Sequence, residues 1–202
     1  MAALRAADPV LRGVIDEVGG DGLFDRLAGR PSEHYGALVR SIVGQQLSTK
    51  AARAIFTRLT DRYGGRTPTP DEVLADDPEE LRAAAGLSRA KVQFLRSLAE
   101  RSLDGSLQLE RLDELPDEQV ITELVAVRGI GEWSAHMFLM FQLGRPDVLA
   151  VGDLGIRRAV MLQYGLEAMP SPAEVQRIGE PWRPYRTLAC LYLWRSLDAT
   201  PV

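Results

Sequence analysis

A single cysteine, Cys190, in a chain of 202 residues leaves no possibility of an internal disulfide and no thiolate set for zinc or an iron–sulfur cluster. Histidine is almost as scarce. With only His34 and His136, a His-rich metal site is not expected. The chain also lacks an apolar run of about eighteen residues, and its first residues lack the apolar core of an export signal. The expectation is therefore a protein with no membrane span, in the cytoplasm. No window alternates apolar and polar residues between hairpin turns, so strands are not predicted. Repeats, low-complexity tracts and long linkers are absent. An excess of positive charge is missing too: the net charge is −4, which taken alone argues against a nucleic-acid binder.

What is present is an ordinary globular composition, 46% hydrophobic and 26% charged, enough for a sizeable core. The helix signals are dense. Val10, Leu11, Val14 and Ile15 share one face before a break at Gly19-Gly20-Asp21-Gly22. Pro31-Ser32-Glu33 opens a longer helix with Tyr35, Leu38, Val39, Ile42 and Val43 on one stripe. Ser48 reads as the cap of a helix whose buried face is Ala51, Ala52, Ile55, Phe56 and Leu59. Thr69-Pro70, Asp77-Pro78 and Ser171-Pro172 each pair a cap with a first-turn proline. Gly86 reads as a C-cap, and Ser88 starts a helix through Lys91, Phe94, Leu95 and Leu98. These segments predict an all-α fold of about ten to twelve helices. Charge is uneven: Arg40, Lys50, Arg53, Arg58, Arg62 and Arg66 face one acid, Asp61, between residues 40 and 66. A local basic face can engage phosphates whatever the net charge.

The most informative stretch runs from Leu124 to Asp153. An apolar helix end turns through Arg128-Gly129-Ile130-Gly131 into a second apolar helix at Glu132-Trp133-Ser134-Ala135. Two glycines around one aliphatic residue make a tight turn and expose bare amides at a helix N-terminus, where a phosphate could bind. A plain helix–helix turn would look the same. Asp153 follows about twenty residues later, between a loop and a new helical pattern. By position alone it reads first as a helix cap. Gln45 and Gln46, in the loop before Ser48, could satisfy buried backbone groups or reach outward.

Leu124-x-x-Val127-x-Gly129-Ile130-Gly131-x-Trp133-Ser134-Ala135, with Asp147-Val148 and Asp153, resembles the helix-hairpin-helix DNA glycosylases, and most of all their DNA-3-methyladenine glycosylase II branch. Three further stretches agree: Ser41 to Thr49, Gly86-Leu87-Ser88 with Lys91, and Trp182-Arg183-Pro184-Tyr185 through Trp194. The likeness covers roughly residues 32 to 197. It implies two helical lobes flanking a DNA-binding cleft, one spanning 31–143 and ending in the hairpin, the other combining 1–30 with 144–202. Larger members carry an N-terminal β-rich domain, so a compact form is expected.

The resemblance also implies chemistry. A base inside a duplex is out of reach of a carboxylate, so the nucleotide must be flipped out. DNA would be gripped by Gly129, Ile130, Gly131 and Ser134 at the hairpin, and contacted by Gln45 and Gln46. Gln46 falls at the wedge position, where many relatives carry an apolar residue. Asp153 would be the catalytic carboxylate, stabilising positive charge on the sugar or orienting water, a role compatible with capping. Trp133, Met137 and Trp194 would line the base pocket, where indole faces favour a cationic purine. Trp133 stands where lyase-active relatives have a lysine, which removes the covalent route. Gly152 stands where some relatives have a second acid. Arg157 and Arg158 read equally as phosphate contacts and as solvated residues, Arg183 and Tyr185 as support for the last helix or for the pocket wall. No cofactor is required. The carbonyls of Val125, Val127 and Ile130 would hold a monovalent cation at the hairpin. The expected partner is duplex DNA containing alkylated bases, met by a monomer associated with the nucleoid if the source is bacterial. The expected reaction is monofunctional excision of 3-methyladenine or 7-methylguanine; the alternative is a non-catalytic helix-hairpin-helix DNA-binding module.

Overall fold

The computed structural model describes residues 1–20, 23 and 33–198. Among these are twelve α-helices and no strand, as the sequence predicts. None of the helices is long and apolar enough to cross a membrane. The expected break at Asp21-Gly22 and the expected helix start at Pro31-Ser32 lie outside the described residues. The chain divides into two compact units, Met1–Gly29 with Leu139–Val202, and Arg30–Phe138.

The first unit contains α1 (Ala2–Ala7), α2 (Pro9–Val18), α10 (Leu154–Gln163), α11 (Pro172–Ile178) and α12 (Arg186–Asp198). Leu4, Leu11, Val14, Ile156, Val160, Val175, Trp182 and Leu193 form its interior. Asp8 ties this core together. Its Oδ1 accepts the amides of Val10 and Leu11 at 2.9 and 3.1 Å, capping α2. Its Oδ2 accepts the Trp182 indole N–H at 2.9 Å and the Tyr164 hydroxyl. Burial pushes the Asp8 carboxyl up, but the four hydrogen bonds together hold it below the usual carboxylate range. Asp147 is a second anchor: its carboxylate accepts Arg186 Nε at 2.8 Å and Arg183 Nη1 at 2.9 Å. Arg183 thus supports the approach to α12, one of the two roles its position allows.

The second unit contains α3 (His34–Gly44), α4 (Thr49–Arg62), α5 (Pro70–Ala75), α6 (Pro78–Ala85), α7 (Arg89–Leu103), α8 (Asp117–Val125) and the part of α9 (Glu132–Phe141) up to Phe138. The caps read from the sequence are present. Ser48 caps α4, Thr69 and Glu72 form a full capping box on α5, Asp77 caps α6 and Ser88 caps α7. Gly86 ends α6 at φ 75°.

Two expectations about α4 need correction. Only Leu59 of its predicted apolar face is fully buried; Ala51, Ala52, Ile55 and Phe56 are half-buried. The basic face is also smaller than its composition implies. Arg58 donates to the Ala85 carbonyl at 3.1 Å, satisfying the end of α6. Arg62 forks onto Asp76 at 2.6 Å through both Nε and Nη2, and Arg66 pairs with Glu72. Arg40 lies over the Phe56 ring. The acids that neutralise Arg62 and Arg66, Asp76 and Glu72, come from the segment after residue 66.

Candidate functional site

The hairpin is built on one backbone exception. α8 ends at Val125, the Ile130 amide returns to the Val127 carbonyl at 3.0 Å, and Gly129 sits at φ 87°. A Cβ at Gly129 would come within 2.2 Å of the Phe94 ring. Glycine is needed there twice over, for the left-handed backbone and for the contact. Gly131 is different: it is not left-handed, and nothing lies within 4 Å of where its Cβ would be. Only one of the two glycines therefore serves the turn itself; the other leaves the start of α9 bare. The first amides of a helix have no partner within it, so this end can receive a phosphate. Ile130 and Ser134, at 4% and 7% exposure, have buried side chains. Any contact they make with DNA must run through backbone.

Gln45 and Gln46 face different tasks. Gln45 Nε2 donates to the Gly129 carbonyl at 2.8 Å, and its own carbonyl accepts Lys91 Nζ at 2.8 Å. Of the two readings of Gln45, the structure realises backbone satisfaction. Gln46 is exposed at φ 59°, the one positive-φ residue other than glycine among the described residues. A glutamine in that region costs about 1–2 kcal/mol, and such strain concentrates at working positions. Leu47 beside it is 38% exposed.

On α9, Trp133 is 48% exposed and Met137, one turn later on the same face, is half-buried. In the other unit, Asp153 is the N-cap of α10, its Oδ1 accepting the Ile156 amide at 2.8 Å. The same Oδ1 accepts the Trp194 indole N–H at 2.8 Å. The capping role is thus observed. Trp194 is 8% exposed and stacks on Phe141 with ring centroids 6.1 Å apart. A Cβ at Gly155 would lie 3.0 Å from both Asp153 Oδ1 and Trp194 Cδ1, so glycine leaves the space in which this pair meets. The result is a carboxylate held in one orientation at the positive end of a helix, next to aromatic surface. Such a group can stabilise developing positive charge without reorganising.

Residues 39–184 match the family described as HhH-GPD superfamily base excision DNA repair protein. The chain belongs to this superfamily. Among its relatives, the DNA-3-methyladenine glycosylase 1 of Schizosaccharomyces pombe is 37% identical over 166 residues, 81% of this chain and 72% of that protein. A putative DNA-3-methyladenine glycosylase of Bacillus subtilis is 28% identical over 87% of this chain, but the match spans only 64% of that relative. A solved structure of the Schizosaccharomyces pombe 3-methyladenine DNA glycosylase in complex with abasic DNA superimposes with a TM-score of 0.83 at 33% identity, covering 98% of this chain and 95% of that one. A DNA-3-methyladenine glycosidase from Bacillus halodurans gives a TM-score of 0.74 at 36% identity, covering 94% and 89%. The HhH-GPD resemblance read from the hairpin and its companion motifs therefore holds, together with the helical fold it implied.

The sequence places Phe94 on a helix face but does not pair it with Gly129, and it does not mark Phe141 or Gly155 as parts of the site. Each acts through a contact with a distant residue, and none carries a local signal beyond its type. Arg157, read equally as a phosphate contact and as a solvated residue, donates Nε to the Pro170 carbonyl at 2.8 Å. No cluster of three or more His, Cys, Asp or Glu side chains suited to a metal is found among the described residues.

Proposed function

We propose that this chain is a monofunctional DNA glycosylase that removes alkylated purines, of the 3-methyladenine and 7-methylguanine type, from duplex DNA. The carrying observation is Asp153: one carboxylate oxygen is fixed by the Ile156 amide and the Trp194 indole, in a chain similar to enzymes named for that excision. Breaking the N-glycosidic bond builds oxocarbenium character on the sugar, and a preoriented carboxylate stabilises it or aligns water. Alkylated purines are already cationic, so their departure needs little acid assistance and one carboxylate suffices. In the unit that carries Asp153, Trp194 stacked on Phe141 supplies aromatic surface suited to such a base.

The hairpin amides from Gly129 to Gly131 would hold a backbone phosphate, and Gln46 would fill the space of the flipped nucleotide. With Trp133 in place of a lysine, no amine attacks the sugar and the product is an intact abasic site. The carbonyls of Val125 and Val127 sit at and just beyond the negative end of α8, and that of Ile130 lies in the turn that follows. This oxygen-only donor set fits a hard monovalent cation, which would neutralise phosphate charge when bound. The protein would act as a monomer.

The test is base release from methylated duplex DNA under single-turnover conditions, with Asp153→Asn alongside. The proposal expects 7-methylguanine or 3-methyladenine to be freed by the wild type, and Asp153→Asn to bind DNA without freeing it. Binding to damaged DNA with no release of any base would point to the non-catalytic hairpin module instead.

A further inference from the structure

α7 presents three side chains at successive turns, Lys91, Phe94 and Ser97, and each meets one of the segments to which the proposed function assigns DNA contact. Lys91 Nζ donates to the carbonyls of Val43 and Gln45 at 2.7 and 2.8 Å, at the end of α3 and the start of the Gln46 loop. Phe94 fills the space a side chain at Gly129 would take. Ser97 Oγ accepts the Arg128 amide at 3.3 Å. Gln45 closes the circuit by donating to the Gly129 carbonyl at 2.8 Å. The loop that displays Gln46 and the turn that displays the hairpin amides are therefore fastened to one helix and to each other.

We propose that Lys91 is a positioning residue that presets the Gln46 loop for insertion into DNA, and couples that insertion to the grip of the hairpin. The residue type fits the task. All but two of the 24 Lys and Arg residues are arginine, the exceptions being Lys50 and Lys91. Two carbonyls that end a helix converge on a compact ammonium with three donors, whereas a planar guanidinium would spread beyond them. The carbonyls belong to the negative end of α3, which favours a cation there. Gln46 follows immediately, and its left-handed backbone holds only while the surrounding structure over-determines it. Without the ammonium, the Gln45 carbonyl loses its partner, and the loop is free to relax away from the geometry that displays Gln46. Binding to the phosphate backbone, which rests on the hairpin amides, would persist.

The inference rests on the glycosylase reading for its consequence but is measured separately from it. Lys91→Met, Lys91→Arg and Gln45→Met are compared with the wild type in two assays. The first is stopped-flow fluorescence of duplex DNA carrying 2-aminopurine beside an abasic analogue, which reports unstacking when the loop enters. The second is single-turnover release of 7-methylguanine. The expected result is that Lys91→Met and Lys91→Arg each slow both signals by roughly tenfold, the factor expected for loss of a charge-assisted hydrogen bond, while affinity for undamaged duplex stays within about twofold because the phosphate contacts are untouched. Lys91→Cys, alkylated with 2-bromoethylamine to restore an ammonium at the same reach, should recover both; Cys190 is fully buried and is spared. Gln45→Met removes the other tether and should show the same pattern should Lys91→Met fail to fold. Wild-type unstacking kinetics in a folded Lys91→Met would overturn the inference. If the wild type frees no base from any methylated DNA yet unstacks it in a Lys91-dependent way, the positioning role stands and the glycosylase reading falls.

Discussion

Trp194 donates its indole N–H to the same Asp153 oxygen that receives the Ile156 amide, both at 2.8 Å. A carboxylate held by only its helix cap could still rotate; a second donor from α12 fixes the plane in which the opposite oxygen lies. Trp194→Phe keeps an aromatic ring against Phe141 and removes that donor. The expected outcome is a fall in single-turnover base release of about tenfold, the kinetic equivalent of one hydrogen bond to a charged acceptor, with DNA affinity retained. Equal release by Trp194→Phe would show that the cap alone orients Asp153. Gly155→Ala should act on the same pair from the other side, by crowding Oδ1 and the indole.

Gln46 separates the cost of its backbone from the use of its side chain. Glycine adopts φ 59° without penalty, so Gln46→Gly should be at least as stable as the wild type in urea denaturation. Alanine keeps the left-handed cost of about 1–2 kcal/mol and should show no such gain. On the proposed wedge role of Gln46, both variants should release base roughly tenfold more slowly or worse, since an unfilled stack lets the nucleotide return. A Gln46→Gly protein with the wild-type rate would mean that the side chain does not fill the helix, and would shift attention to exposed Leu47.

The helix boundaries were legible because their causes are local. Thr69-Pro70, Asp77-Pro78, Ser88 and Ser171-Pro172 each carry cap and first turn within four residues, and all four caps are present. Asp153 was legible as a cap for the same reason, and as a catalytic candidate through the family motif. What could not be read are contacts between segments far apart in the chain. Gln45 meets a carbonyl 84 residues away and Asp8 an indole 174 residues away. The overestimate of the basic face has the same origin, because the acids that pair with Arg62 and Arg66 lie in the segment after residue 66. Periodicity marks which face of α4 turns inward, but not how completely its neighbours cover it.

His136 predicts a pH dependence of stability. The ring is 9% exposed, and burial depresses its pKa below 6.5, outweighing the attraction of Glu132 and Asp117. An unfolded chain takes up the proton more readily than the folded one, so this group's contribution is intact above about pH 6.5. It is lost as pH falls from there through the lower folded value. Urea midpoints measured from pH 7.5 to 5 should decline in the wild type, and decline less in His136→Asn. A constant offset between the two proteins across that range would show that His136 does not titrate differently on folding.

Asp8 predicts the largest stability loss of any single change considered. Its two oxygens accept four donors, from Val10, Leu11, Trp182 and Tyr164, and the side chain is 7% exposed. Asp8→Asn keeps one acceptor oxygen and turns an N–H₂ toward groups that are themselves donating. Whichever way the amide is oriented, at least one pair of donors loses its acceptor. The expected cost is about 2–3 kcal/mol, the range for unsatisfied buried partners of a charged group, read from urea denaturation at pH 7. The folded pKa of Asp8 is depressed, so its stabilisation is complete above the unfolded value near 3.9. It disappears as pH falls through the lower folded value. The gap between Asp8→Asn and wild type should therefore be widest at neutral pH and narrow in acid. A gap that stays constant down to the acid transition would mean that the charge of Asp8 contributes nothing beyond its shape.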